Sequence, residues 1–149
     1  MKKLFSMLLM VATALSFTAC DEVEDVIDSL VGDGDKIVYV GSMDVSAYGT
    51  TAYSDDATEF TLEKDGNTVS ILMSSMKFSE YMPVTLDIKI SDIPATDSTF
   101  STSSVIPTVS SIPMEDYTIT NVSGVYDANT LTMTFECYGC TVTYVGVAQ

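Results

Sequence analysis

Hydrophobic and polar residues alternate with period two through most of the chain after Lys36, and turn-forming residues separate the runs. The clearest run covers residues 84–90, with Val84, Leu86, Ile88 and Ile90 on one face and polar residues on the other. Thr130–Cys137 and the run from Cys140 form a hairpin around the two-residue loop Tyr138-Gly139. Its facing pairs are Cys137–Cys140, Phe135–Val142, Met133–Tyr144 and Leu131–Gly146, so the two apolar faces coincide. A slip of one residue turns one of those faces outward, which pins the register.

The remaining runs follow the same logic. Residues 37–46 place Tyr39, Gly41, Met43 and Val45 on one face. Residues 58–63, with Phe60 and Leu62 inward, lead through Lys64-Asp65-Gly66-Asn67 into Thr68–Met76. Residues 117–126 alternate imperfectly, which predicts a bulge near Asn121 before a turn at Asp127-Ala128-Asn129. A weaker strand falls between residues 97 and 105, in a Ser/Thr-rich stretch that runs to Ser111 and reads as solvent-facing. About eight short antiparallel strands, with no helix after residue 35, give an all-β domain that is either a sandwich or a barrel.

An eight-stranded barrel fills its interior with side chains or holds one small ligand. The inward residues that would line such a ligand cavity are Tyr39, Met43, Phe60, Leu62, Leu86, Ile88, Met133, Phe135 and Tyr144. The alternative is a plain packed core.

The pattern changes character before residue 36. Lys2 and Lys3 precede an apolar stretch from Leu4 to Phe17, and Phe17-Thr18-Ala19 places small residues ahead of Cys20. This is the layout of a secretory signal. It resembles the lipobox of bacterial lipoproteins, in which the cysteine thiol receives a diacylglyceryl group and becomes the new N-terminus. Residues 1–19 are then the leader, Cys20 the lipidation site and attachment point to the membrane, and residues 20–35 an acidic tether. Val23, Val26, Ile27, Leu30 and Val31 make a helical stripe over residues 22–31, stopped by Gly32 and Gly34. The segment is either a short docked helix or a self-repelling spacer.

Charge narrows the partners. The chain carries six Lys and Arg against twenty-one Asp and Glu, with no His, for a formal charge of −15. Leader removal takes away two lysines and no acid, so the charge becomes −17. Nucleic-acid affinity rests on Lys and Arg neutralising phosphates, so no nucleic-acid partner is expected. After the leader neither Arg nor His remains, which removes the bidentate anion clamp and the usual general base. Any catalysis would fall to carboxylates, tyrosines or thiols, as in a carboxylate-based hydrolase; no enzyme, cofactor or metal is expected. Asp55-Asp56 and Glu115-Asp116 read as solvated surface charge. Cys137-Tyr138-Gly139-Cys140 flanks a turn rather than a helix start, which argues against redox catalysis. Such a pair is a disulfide across the hairpin in an exported protein, or two thiols in a reducing setting.

The order of features across residues 36–149 resembles the calycin-like (lipocalin-like) β-barrel lipoproteins of Gram-negative bacteria. The likeness rests on Gly41 in the opening strand, residues 61–70 (TLEKDGNTVS), Met82-Pro83-Val84, Ile93-Pro94, and residues 117–124 (YTITNVSG) ahead of the Leu131-Thr132-Met133-Thr134 hairpin. It implies a single antiparallel barrel of about eight strands, in a family many of whose members have no assigned ligand. The function expected of such a domain is a binding module for a small apolar ligand or a protein partner. The alternative it carries is an interaction protein with a filled core, including one that blocks a protease with its loops. The acids after Cys20 also look like the tag that sends such lipoproteins to the outer membrane with the domain facing outward. The periplasmic face is the alternative location, and another sorting rule reads Asp21 as inner-membrane retention.

Overall fold

The computed structural model describes residues 35–149, so the leader, the lipidation site at Cys20 and the tether helix lie outside the described residues. Among the described residues ten strands are formed: β1 (Lys36–Ala47), β2 (Thr50–Asp65), β3 (Thr68–Met76), β4 (Leu86–Pro94), β5 (Thr99–Val105), β6 (Thr108–Val109), β7 (Ile112–Pro113), β8 (Ile119–Tyr126), β9 (Thr130–Cys137) and β10 (Cys140–Ala148). They make one antiparallel sheet in the order β5-β8-β9-β10-β1-β2-β3-β4-β6-β7, curled into a half-barrel. The eight longer strands are the eight the alternation predicts. The extra two form a short hairpin between β5 and β8, in the stretch expected to face solvent.

The β9–β10 register is the expected one, pair for pair, from Cys137–Cys140 to Leu131–Gly146. Two other boundaries differ. β2 starts at Thr50 rather than residue 58, because its polar first half pairs with the upper half of β1, through Met43–Asp55 and Ala47–Thr50. No hydrophobic period marks that half. β4 starts at Leu86, after Pro83, and Val84 is 58% exposed instead of inward.

Curvature comes from three bulges built alike. Ser75, Asp92 and Asn121 have φ of +54°, +58° and +52°, and each sits just before the second of two buried residues three positions apart. Those pairs are Met73 and Met76, Ile90 and Ile93, and Ile119 and Val122. The register shifts at each of these places. One additional residue lets both apolar neighbours point inward and bends the strand. Asn and Asp are the side chains that tolerate this left-handed backbone best.

The interior is filled. Tyr39, Met43, Phe60, Leu62, Met133, Phe135 and Tyr144 are each at most 1% exposed. Phe60 and Tyr144 stack with ring centroids 3.8 Å apart, and the Tyr144 hydroxyl lies 3.0 Å from the carbonyl oxygens of Tyr39 and Thr58. Two close approaches depend on glycine. A Cβ at Gly124 would stand 2.2 Å from Phe100 Cζ, its cross-strand partner, and one at Gly41 would stand 2.0 Å from the Val145 carbonyl oxygen.

The two flanks of the sheet meet at one end only. There the turn after β4 is fixed by Thr96 N–H to Thr99 O (2.7 Å), Tyr126 Oη to Thr96 O (2.7 Å) and a Lys64–Asp97 ion pair at 2.8 Å. Ala95 bridges Phe100 beside it. At the other end β4 and β5 pair with different neighbours, and residues 106–118 lie between them, with β6 added to β4.

Candidate functional site

A cavity of about 460 Å³ sits at this second end. Phe78, Ser79 and Met82 of the β3–β4 loop form one wall, with Leu86 and Ile88 of β4 beside them. Pro107, Val109, Met114 and Tyr117 come from the segment between β5 and β8, and Ile119 from the start of β8. Cys137, Tyr138 and Cys140 of the β9–β10 hairpin complete the lining. Among the described residues that line it, Ser79 and the tyrosine hydroxyls are the only polar side-chain groups apart from the two thiols. The volume falls in the usual range for small-molecule sites, which are mostly apolar clefts with few polar groups.

Each wall is positioned by a local device. The β3–β4 loop is folded on itself, with Met82 N–H donating to Ser79 O at 3.2 Å and Phe78 N–H donating to Met82 Sδ at 3.1 Å. A 3-10 turn at Glu115–Tyr117 carries Tyr117, whose ring lies 5.4 Å from that of Tyr138. Tyr138 and Gly139 both have positive φ, the geometry of the tight hairpin turn that matches strand twist. Tyr48-Gly49, at the tip of the neighbouring β1–β2 hairpin, does the same.

Electrostatics in the cavity are subdued. Burial, and then the neighbouring Cys140, push the Cys137 thiol up to about 11, so it is neutral at physiological pH. Its Sγ donates weakly to the Tyr117 carbonyl at 3.6 Å. Cys137 and Cys140 are direct ladder partners, and both are free thiols. Among the described residues no group of three Asp, Glu, Cys or His side chains comes together as a metal site would require.

Of the residues expected to line a cavity, only Leu86 and Ile88 do so. Tyr39, Met43, Phe60, Leu62, Met133, Phe135 and Tyr144 are packed against one another as core, since the Phe60–Tyr144 stack occupies the middle of the half-barrel. The cavity is at the mouth, not in the interior. Alternation does not mark Phe78, Met82, Pro107, Val109 and Met114, because they lie in loops or a two-residue strand, where no period applies. A usable signal was present all the same. These are large apolar residues between strands, with no strand face to belong to.

None of the protein-family models, curated proteins or solved structures compared with this chain matches it. The architecture therefore stands on its own geometry, an all-strand antiparallel half-barrel that agrees with a calycin-like barrel at that level of detail.

Proposed function

We propose that this protein is a calycin-like lipoprotein, anchored through acyl chains on Cys20 and facing outward from the outer membrane, that holds a small apolar molecule in its mouth cavity. The observation that carries the binding reading is the 460 Å³ apolar cavity beside an otherwise filled core. A packed barrel with no ligand has no use for an unfilled end, since unoccupied apolar volume lowers stability. The filled interior also bears on selectivity, because a ligand is limited to the mouth and cannot run down the barrel axis.

The experiment is titration of the full chain with N-phenyl-1-naphthylamine, an uncharged apolar probe, alongside the Met114→Trp variant, whose indole would occupy the cavity. Saturable probe fluorescence that the variant loses, with its melting temperature kept, supports the reading. No saturable binding, or equal binding by the variant, overturns it. Native mass spectrometry of protein from its own host then gives the mass of the resident molecule.

One observation favours a protein partner as the second reading. Tyr48, Tyr81 and Tyr138 are 101%, 93% and 78% exposed, all on turns or loops at the mouth end. Exposed tyrosines on turns are efficient contact groups for protein recognition. A loop-based inhibitor role belongs here. It is supported by co-purification of one host protein that the triple Tyr48→Ser, Tyr81→Ser, Tyr138→Ser variant fails to retain.

A further inference from the structure

Charge around the cavity is one-sided. Glu80 lies between the lining residues Ser79 and Met82, and Glu115 and Asp116 lie between the lining residues Met114 and Tyr117. All three carboxylates are exposed. They flank lining residues on two walls, with Glu115 and Asp116 next to Tyr117, whose ring pairs with that of the exposed Tyr138.

Cations are almost absent there. Among the described residues the bases are Lys36, Lys64, Lys77 and Lys89. Lys36 pairs with Glu63 and Lys64 with Asp97, both at the end where the flanks meet. Lys77 adjoins the lining residue Phe78, and Lys89 adjoins the lining residue Ile88 but lies on the opposite, exposed face of β4. An anionic head group at this opening meets three carboxylates and one lysine, with no bidentate clamp of the kind Arg supplies. A cationic head meets three carboxylates and two aromatic faces, both attractive.

We infer that the cavity selects an amphiphile whose apolar body fills it and whose cationic head stays at the mouth, beside Glu80, Glu115, Asp116 and the Tyr117–Tyr138 pair. The inference rests on the mouth cavity being a ligand site and adds the class of ligand. It excludes fatty-acid anions as preferred occupants.

The test uses the full chain and three molecules that share one tail: dodecyltrimethylammonium, dodecanol and dodecanoate, each below its micelle concentration. Each displaces the bound naphthylamine probe in low and in high salt. The cation is expected to bind at least tenfold tighter than dodecanoate and severalfold tighter than dodecanol. Its advantage shrinks at 500 mM salt, where surface charge is screened beyond about 4 Å. The combined Glu80→Gln, Glu115→Gln, Asp116→Asn variant loses the preference and keeps its affinity for dodecanol. A control variant with Asp44→Asn, Glu59→Gln and Asp65→Asn, exposed acids away from the lining, keeps the preference and so separates a local effect from net charge. Dodecanoate binding as tightly as the cation, no advantage of the cation over dodecanol, or equal losses in both variants would each overturn the inference and leave the ligand cavity standing. If none of the three displaces the probe, the ligand cavity itself falls.

Discussion

Tyr144 carries a phenol into the middle of the apolar filling, and two main-chain carbonyls receive it. Burial pushes this phenol up to about 12, with the charge of Glu59 adding and a hydrogen bond with the Phe60 backbone opposing. The folded protein therefore keeps a proton that the unfolded chain releases above about pH 10. Above that pH the unfolded state binds fewer protons, so stability is whole below it and falls as pH rises toward 12, by about 1.4 kcal/mol per unit. Tyr39, raised by burial and then by Asp127, acts in the same direction. Tyr144→Phe is expected to cost about 1–2 kcal/mol at pH 7, since two carbonyls lose a donor. It should also flatten the alkaline loss measured by urea melts between pH 9 and 12. An unchanged slope would mean the phenol is not sealed. The alternation places Tyr144 inward and opposite Met133, where the structure also has it. Alternation gives no sign that the ring stacks on Phe60 and closes the interior, because stacking joins residues 84 positions apart on strands that do not pair with each other.

Among elements, the β9–β10 hairpin was the most legible, because its two apolar faces match in one register and in no neighbouring one. Bulges were legible where the alternation visibly broke, at Asn121. Ser75 and Asp92 use the same device less visibly, since Met73-Ser-Ser-Met76 and Ile90-Ser-Asp-Ile93 also read as strands with one polar residue too many. The hairpin also sets two thiols in different surroundings although they face each other. Cys137 is buried and its thiol is held near 11, whereas Cys140 is half-buried at the cavity wall. The thiolate is the reacting species, so the native protein at pH 8 should be alkylated by N-ethylmaleimide at Cys140 at least tenfold faster than at Cys137. Peptide mapping of the labelled protein measures this. Equal rates, or labelling of neither residue before reduction, would show that the pair does not stand as two unequal thiols.

For the whole molecule, the alternation gave the class and most of the strands but put the cavity in the wrong place. A barrel interior is inferred from faces, and faces predict core as readily as they predict a ligand site. The actual space is where two flanks of the sheet fail to meet, which depends on how far the sheet curls and on a non-periodic excursion of residues 106–118. Neither is written in a two-residue period.

The first and last described strands, β1 and β10, pair along nearly their whole lengths, from Tyr39–Ala148 to Ala47–Cys140, in the centre of the sheet. Contacts this distant along the chain carry a large loop-closure cost and slow the search for the native state. During synthesis the seam cannot zip until the final strand has emerged, and until then β1 and β9 each present an unpaired edge beside an apolar face. Deleting residues 140–149 should accordingly give aggregates on refolding, seen by light scattering, rather than a weakened monomer. A soluble, cooperatively melting truncation would show that the half-barrel does not need its central zipper. Any holding factor that keeps this chain soluble before the seam closes has to act on those two waiting edges.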